Sequence, residues 1–396
     1  MKINKIIIFV FAIALISCEN QEISFPDYGS TSVYFPFQTP VRTLIQGKYD
    51  LGNNDNDNLG RFEIGVIMSG VYENAIDRKV DFIVDPDLID PTKLGVQSVN
   101  YIIGEGANKI VNPIQILPSS YYTIDQSPVT VPSGSTKGRI GVQLTDAFFE
   151  DPLSFGEFGA VNYVVPIRIT NYEGFDVLLD GVPADGITDP KRLIASDWST
   201  LPKDYTLFGI KFINKFEGIY LRRGEDKVVG TSQTVVNNRF TGALISAGDV
   251  ENIDDSTVYR AENVVQDEDT KVITAGKNKV IYTNNVRRPG IVSSATLSLE
   301  LAFNDNEEIT ITNADTNSPF IVTGTGRFLE NGDQWGGENR DVIYLEYEYQ
   351  DKEVNESIQN FIERHTSTLD LTHTVKDTLV IRNRDVKFEE FIINLE

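Results

Sequence analysis

From residue 32 to the carboxyl terminus the chain is written in short β-favouring runs, many of them alternating apolar and polar, broken by clusters of Gly, Pro, Asn and Asp. Period-two alternation gives each strand one buried and one wet face, and the breaker clusters are turn-sized, so the pattern predicts an all-β, antiparallel fold. In the first half the runs are 32–35, 62–67, 79–84, 129–131, 140–144 and 163–169. Their spacing predicts an immunoglobulin-like β-sandwich of about seven strands over 28–172. Pro132-Ser133-Gly134-Ser135 reads as a turn, and Pro166 inside its run marks an edge strand or a bulge.

Residues 173–209 change character, with Gly174, Gly181, Pro183, Gly186, Pro190 and Pro202 in quick succession around Trp198. They are expected to be the interdomain segment, with Trp198 packed between domains. From 210 to 396 ten evenly spaced runs predict a larger antiparallel β domain, either a closed lipocalin-like barrel or a second sandwich. Val354, Ile358, Phe361 and Ile362 share a helical face, so a short helix over 354–364 is expected against that background.

Cys18 is the one cysteine, and it follows Lys2, Lys5 and an eleven-residue apolar stretch from Ile6 to Ile16. Leu15-Ile16-Ser17-Cys18 reads as a lipobox, which makes 1–17 a signal peptide, Cys18 the acylated residue and 18–27 a tether. The apolar stretch is too short to span a bilayer, which takes about 20 residues, whereas several acyl chains on one residue anchor a protein stably. With no second cysteine, an exported chain of this length must be held by packing alone.

The formal charge is −23, and loss of Lys2 and Lys5 with the signal takes the mature chain to −25. Such a field repels phosphate backbones, which excludes nucleic acid as a partner class.

Candidate chemistry is sparse. His365 and His373 have no cysteine to join them as metal ligands and are read as surface or strand residues. Asp55 and Asp57 alternate as calcium ligands do, and Gly60 falls at the sixth position of such a loop. Val66 stands where the bidentate glutamate belongs, so the segment is read as a solvated hairpin loop, with calcium as the alternative. No Gly-x-Ser-x-Gly elbow is present. Sugar binding asks for exposed aromatic faces beside planar amides or carboxylates. The stretch 331–340 has that composition, which makes Trp335, Asp333, Asn339 and Arg340 the candidate ligand residues, with Tyr344 beside them on the outward face of its strand. A tryptophan folded back to cap a barrel end is the competing reading of Trp335.

Several stretches resemble a family of gut-type Bacteroidetes surface lipoproteins with an N-terminal domain of unknown function of the 1735 type. They are Tyr121-Tyr122-Thr123-Ile124 followed by 129–135, 142–146, 163–170, 209–220, 377–384 and Phe388-Glu389-Glu390-Phe391. The resemblance implies an outer-membrane lipoprotein facing the cell exterior, anchored in lipid through Cys18. It further implies a polysaccharide-utilisation system, with a TonB-dependent transporter and a glycan-binding lipoprotein as partners. The acidic strand of a chitinase-like barrel, Asp-x-x-Asp-x-Asp-x-Glu, is missing. A non-enzymatic role in binding an oligosaccharide or polysaccharide, without cofactor or metal, is therefore expected. The alternatives are a fimbrial or adhesive subunit, processed after Arg42, and a lipocalin-like carrier of a small ligand.

Overall fold

The computed structural model describes residues 27–49, 51–289 and 294–396, so Cys18, the lipobox and nearly all of the tether lie outside the described residues. Strands dominate throughout, as the alternation predicts.

The first domain is a two-sheet sandwich. One sheet orders Val177–Leu178, Ser32–Tyr34, Arg61–Ser69, Lys137–Leu144 and Tyr122–Ile124. The other orders Glu389–Glu390, Pro40–Ile45, Tyr205–Ile213, Tyr163–Glu173, Arg78–Val84 and Val129–Val131. Alternation decides which residues meet between the sheets. On Lys137–Leu144 the buried set is Ile140, Val142 and Leu144, and these pack with Ile64, Val66, Val165, Ile167 and Phe212 from strands of both sheets.

Three sequence expectations are corrected here. Pro166 lies on a central strand, not an edge, and the bulge of that strand falls between Ile169 and Asn171; the missing N–H of Pro166 falls where the neighbouring strand changes from Gln115–Ile116, opposite 163–164, to Arg78–Val84, opposite 167 onward. Residues 173–209 are not an interdomain segment. Val177–Leu178 completes one sandwich sheet, and Val182–Pro183 pairs with Trp198–Thr200 as a side hairpin in which the Trp198 indole N–H donates to the Lys191 carbonyl at 2.9 Å. Third, Tyr205–Ile213, which straddles the expected boundary at 209/210, is hydrogen-bonded inside the sandwich sheet, so the chain leaves the first domain only after 213.

Among the described residues the second domain is an eight-stranded antiparallel barrel. Its strands in order are Gly218–Asn238, Glu268–Gly276, Lys279–Val286, Ala295–Phe303, Glu308–Asn313, Ile321–Trp335, Glu338–Gln359 and Glu363–Asn383. Each pairs with the next, and the first pairs with the last from Ile219 to Asn238, which closes the ring. Strands six and seven approach closely at Gly324, where an added Cβ would stand 2.5 Å from that of Tyr347. At the end facing the sandwich, Phe216 stacks on Phe303 and meets Phe328 edge-on.

Farther along the barrel axis the filling turns polar. Arg222 donates to Asp377 at 2.9 Å, and Asp377 also accepts from the hydroxyls of Tyr282 (3.2 Å) and Tyr347 (3.0 Å). Burial, reinforced by the Asp377 charge, pushes both hydroxyls well above the usual tyrosine range. His373, expected on the surface or in a strand, is a strand residue wholly inside the barrel. Its Nδ1 meets Asp226 at 3.0 Å and its ring stacks on Tyr349.

The first and the last two barrel strands run on beyond the ring as an arm, flanked by Leu244–Ala247 and Glu251–Tyr259 on the first strand. Residues 354–364 form its tip and are not a helix: the seventh strand continues to Gln359, and Asn360 and Phe361, both at positive φ, turn the chain directly into the eighth. The apolar set that fits a helical face is the exposed apolar side of a hairpin end, with Phe240 and Phe361 5.5 Å apart.

Both connections to the barrel spring from one sandwich sheet. The chain enters from Tyr205–Ile213 and returns as Glu389–Glu390, with Pro40–Ile45 lying between these two strands. The last strand, Ile392–Leu395, pairs with Val99–Ile103. The barrel is thus an insertion into the sandwich domain.

Candidate binding cleft

A cleft of about 320 Å³ opens where the two domains meet. Its sandwich wall is Lys48, Tyr49 and Leu51; its barrel wall is Glu338, Arg340 and Asp341 from the start of the seventh strand and 381–383 from the end of the eighth, with Arg384 directly after it. The walls are fixed from below by Arg384, only 8% exposed. Its guanidinium donates to the carbonyls of Gln46 (3.0 Å), Lys48 (3.1 Å) and Asn214 (2.6 Å), tying the outgoing chain to the sandwich loop and to the incoming chain.

The barrel wall is a tight hairpin. Gly336 and Gly337, at φ +63° and +84°, make its two-residue turn, and Asp333, Gln334 and Trp335 face Arg340, Asn339 and Glu338 across it. One carboxylate oxygen of Asp341 accepts the N–H of Asn331 at 2.9 Å, which holds the bulge at the base of the turn. Arg340 pairs with Glu338 at 3.0 Å; the arginine side chain is 18% exposed and the glutamate 71%.

Of the candidates read from sequence, Arg340 lines the cleft. Asp333 and Asn339 are exposed on the same hairpin, and Asp333 accepts the N–H of Gln334 at 2.7 Å. Trp335 is the last residue of the sixth strand, and its side chain lies outside the described residues. Tyr344 is on the outer barrel face under the Arg327 guanidinium, 5.3 Å from its ring centroid, away from the cleft lining.

Sequence reading missed Lys48, Tyr49 and Leu51, which sit in a loop with no motif, and Asp341. Arg382, Asn383 and Arg384 stood in a stretch noted for its resemblance but carried no chemical signal of their own.

The Asp55 to Asp57 segment forms a helical turn, Asp55–Asn58, and not a solvated hairpin loop. Asp57 is buried, accepts the N–H of Ile45 at 2.9 Å and pairs with Arg42. Burial raises its carboxyl above the usual range against the pull of both partners. Arg42 lies in a strand with neighbours on both sides, so cleavage there would cut the middle of a sheet. Among the described residues no group of three or more His, Cys, Asp or Glu could hold a metal ion, and no helix is long and apolar enough to cross a membrane.

Fold and cleft together define a two-domain β protein, a barrel inserted into a sandwich with a cleft at the junction. Residues 215–385, which span the barrel, match the family model of a domain of unknown function, DUF5627, and residues 28–176 match a separate model of an N-terminal domain. A protein of unknown function from Bacteroides ovatus is similar, with 26% identity and a TM-score of 0.72, covering 94% of this chain and 100% of that one. A multidomain protein including DUF1735 from the same organism aligns at 11% identity and a TM-score of 0.36, covering 91% and 99%. An auxiliary nutrient-binding protein from Bacteroides thetaiotaomicron aligns at 11% identity and a TM-score of 0.32, covering 85% and 91%. No curated protein matches the chain.

Proposed function

We propose that this chain is a non-enzymatic binding protein that takes an oligosaccharide in the cleft between its domains, anchored through Cys18 to the outer membrane and facing the exterior. Its place is that of an accessory to a polysaccharide-utilisation system, beside a TonB-dependent transporter and a glycan-binding lipoprotein. The observation that carries the binding reading is the make-up of the cleft. The half-buried Tyr49 and Ile381 supply apolar wall, and the amide of Asn383, the carboxylates of Glu338 and Asp341 and the guanidinium of Arg340 supply planar hydrogen-bonding groups, in a volume within the range of small-molecule sites. The lipobox supports the anchor, and the stretches resembling surface lipoproteins support the setting.

Titration calorimetry of residues 19–396 against a panel of plant and host oligosaccharides tests the reading. Tyr49→Ala should weaken binding by up to about tenfold, the scale of an aromatic contact worth roughly 0.5–1.5 kcal/mol. Tyr344→Ala, on the outer barrel face, should leave binding unchanged. Binding that ignores Tyr49 but falls with Tyr344 would remove the site from the cleft.

A further inference from the structure

The cleft inverts the charge of the molecule. On a chain of formal charge −23, its described lining carries four cations, Lys48, Arg340, Arg382 and Arg384, against two acids, Glu338 and Asp341. Resting on the binding reading above, we infer that the ligand is an anionic sugar chain, one bearing a uronate carboxylate or a sulfate ester.

Arg384 and Arg340 are the fixed cations of this array, while Lys48 and Arg382 are exposed. Arg384 is held by three backbone carbonyls, and the Arg340 side chain is mostly buried against the hairpin. Of the acids paired with these cations, Glu338 on Arg340 has its side chain 71% exposed and Asp269 on Arg382 has its side chain 50% exposed. Ion pairs of that exposure add little stability, so a ligand oxyanion takes the place of Glu338 or Asp269 at the guanidinium. The planar guanidinium of Arg340 or Arg382 then takes the oxyanion as a two-pronged acceptor, a stronger contact than any neutral hydroxyl offers. Elsewhere the negative field of the chain opposes anions, so the cleft is where such a ligand gains.

The test is calorimetry of residues 19–396 with three probes: a galacturonic acid trisaccharide, a sulfated disaccharide, and a neutral trisaccharide. At least one anionic probe should bind about tenfold more tightly than the neutral one, and the advantage should shrink at high salt. Arg340→Gln and Arg382→Gln together should abolish the advantage, bringing the affinities for the anionic and neutral probes together in a protein that circular dichroism shows still folded. Which anionic probe wins separates carboxylate from sulfate ester. Equal or tighter binding of the neutral trisaccharide, or an anionic preference that survives both substitutions, overturns the charge inference and leaves the binding reading standing. Failure of all three probes, with the protein folded, overturns both.

Discussion

Lys211 and Glu389, 178 residues apart in sequence, meet at 2.8 Å with side chains 5% and 6% exposed. One lies on the strand that leads into the barrel and the other on the strand that returns from it. Glu389 also accepts from the Thr43 hydroxyl (3.1 Å) and the Gly159 N–H (2.7 Å), so this one carboxylate fastens the returning chain to the sandwich. Glu389→Ala leaves a buried ammonium without its carboxylate, and such losses cost roughly 3–5 kcal/mol. Urea unfolding should show the sandwich transition moving to lower denaturant while the barrel transition stays. An unmoved sandwich transition would mean that the Lys211–Glu389 pair carries no stability.

The barrel interior gives a graded pair of outcomes. Asp377→Ala takes the buried carboxylate away from Arg222, which keeps the half-exposed Glu268 at 3.4 Å, and should destabilise that domain by roughly 3–5 kcal/mol. Tyr347→Phe removes one hydroxyl from the same carboxylate, and from the Asn284 amide that donates to it at 3.0 Å, for roughly 1–3 kcal/mol. Because both act on one network, the double variant should lose less than the sum. Strict additivity would show that the groups are independent.

Two carboxylates set opposite pH signs. Asp176 accepts the backbone N–H and the hydroxyl of Thr31, which hold its carboxyl below the usual range. A depressed folded value contributes stability above the unfolded value of about 3.9, and that contribution is lost as pH falls through the folded value. Asp204 is buried, and burial raises its carboxyl despite the partner Arg192. Its contribution is complete below about 3.9 and lost as pH rises through the raised value. Stability measured against pH should therefore fall less steeply under acid in Asp176→Asn, and decline less just above pH 4 in Asp204→Asn. Slopes identical to the parent in both variants would contradict these assignments.

Period-two alternation made the two β domains legible, because burial of one strand face is a local property of sequence. Ring closure was not legible: pairing of Gly218–Asn238 with Glu363–Asn383 joins strands over a hundred residues apart, and nothing local in either strand marks it. The 354–364 segment misled because Val354, Ile358, Phe361 and Ile362 meet a helical period, while the turn at Asn360-Phe361 needs positive φ without the usual glycine signal. Gly- and Pro-rich 173–209 resembled a linker, yet its turns let the chain cross from one sandwich sheet to the other. At the candidate site, composition picked out the hairpin and Arg340, but the opposite wall of Lys48, Tyr49 and Leu51 is brought there only by the packing of the two domains.

Cys18→Ala should leave the protein unacylated. If the anchor is the lipid, the variant should appear in the soluble fraction after carbonate washing of outer membranes, while the parent remains bound. Retention of the variant with the membrane would contradict lipid anchoring at this residue.

The central claim is that ligand sits between the domains, and hydrogen exchange read by mass spectrometry tests it most directly. With a saturating oligosaccharide that binds the parent, amide protection should rise in peptides covering Lys48 to Leu51, Glu338 to Asp341 and Ile381 to Arg384 together, because one molecule touches both walls. Protection confined to the outer barrel face around Tyr344, or to one wall with the other unchanged, would contradict it.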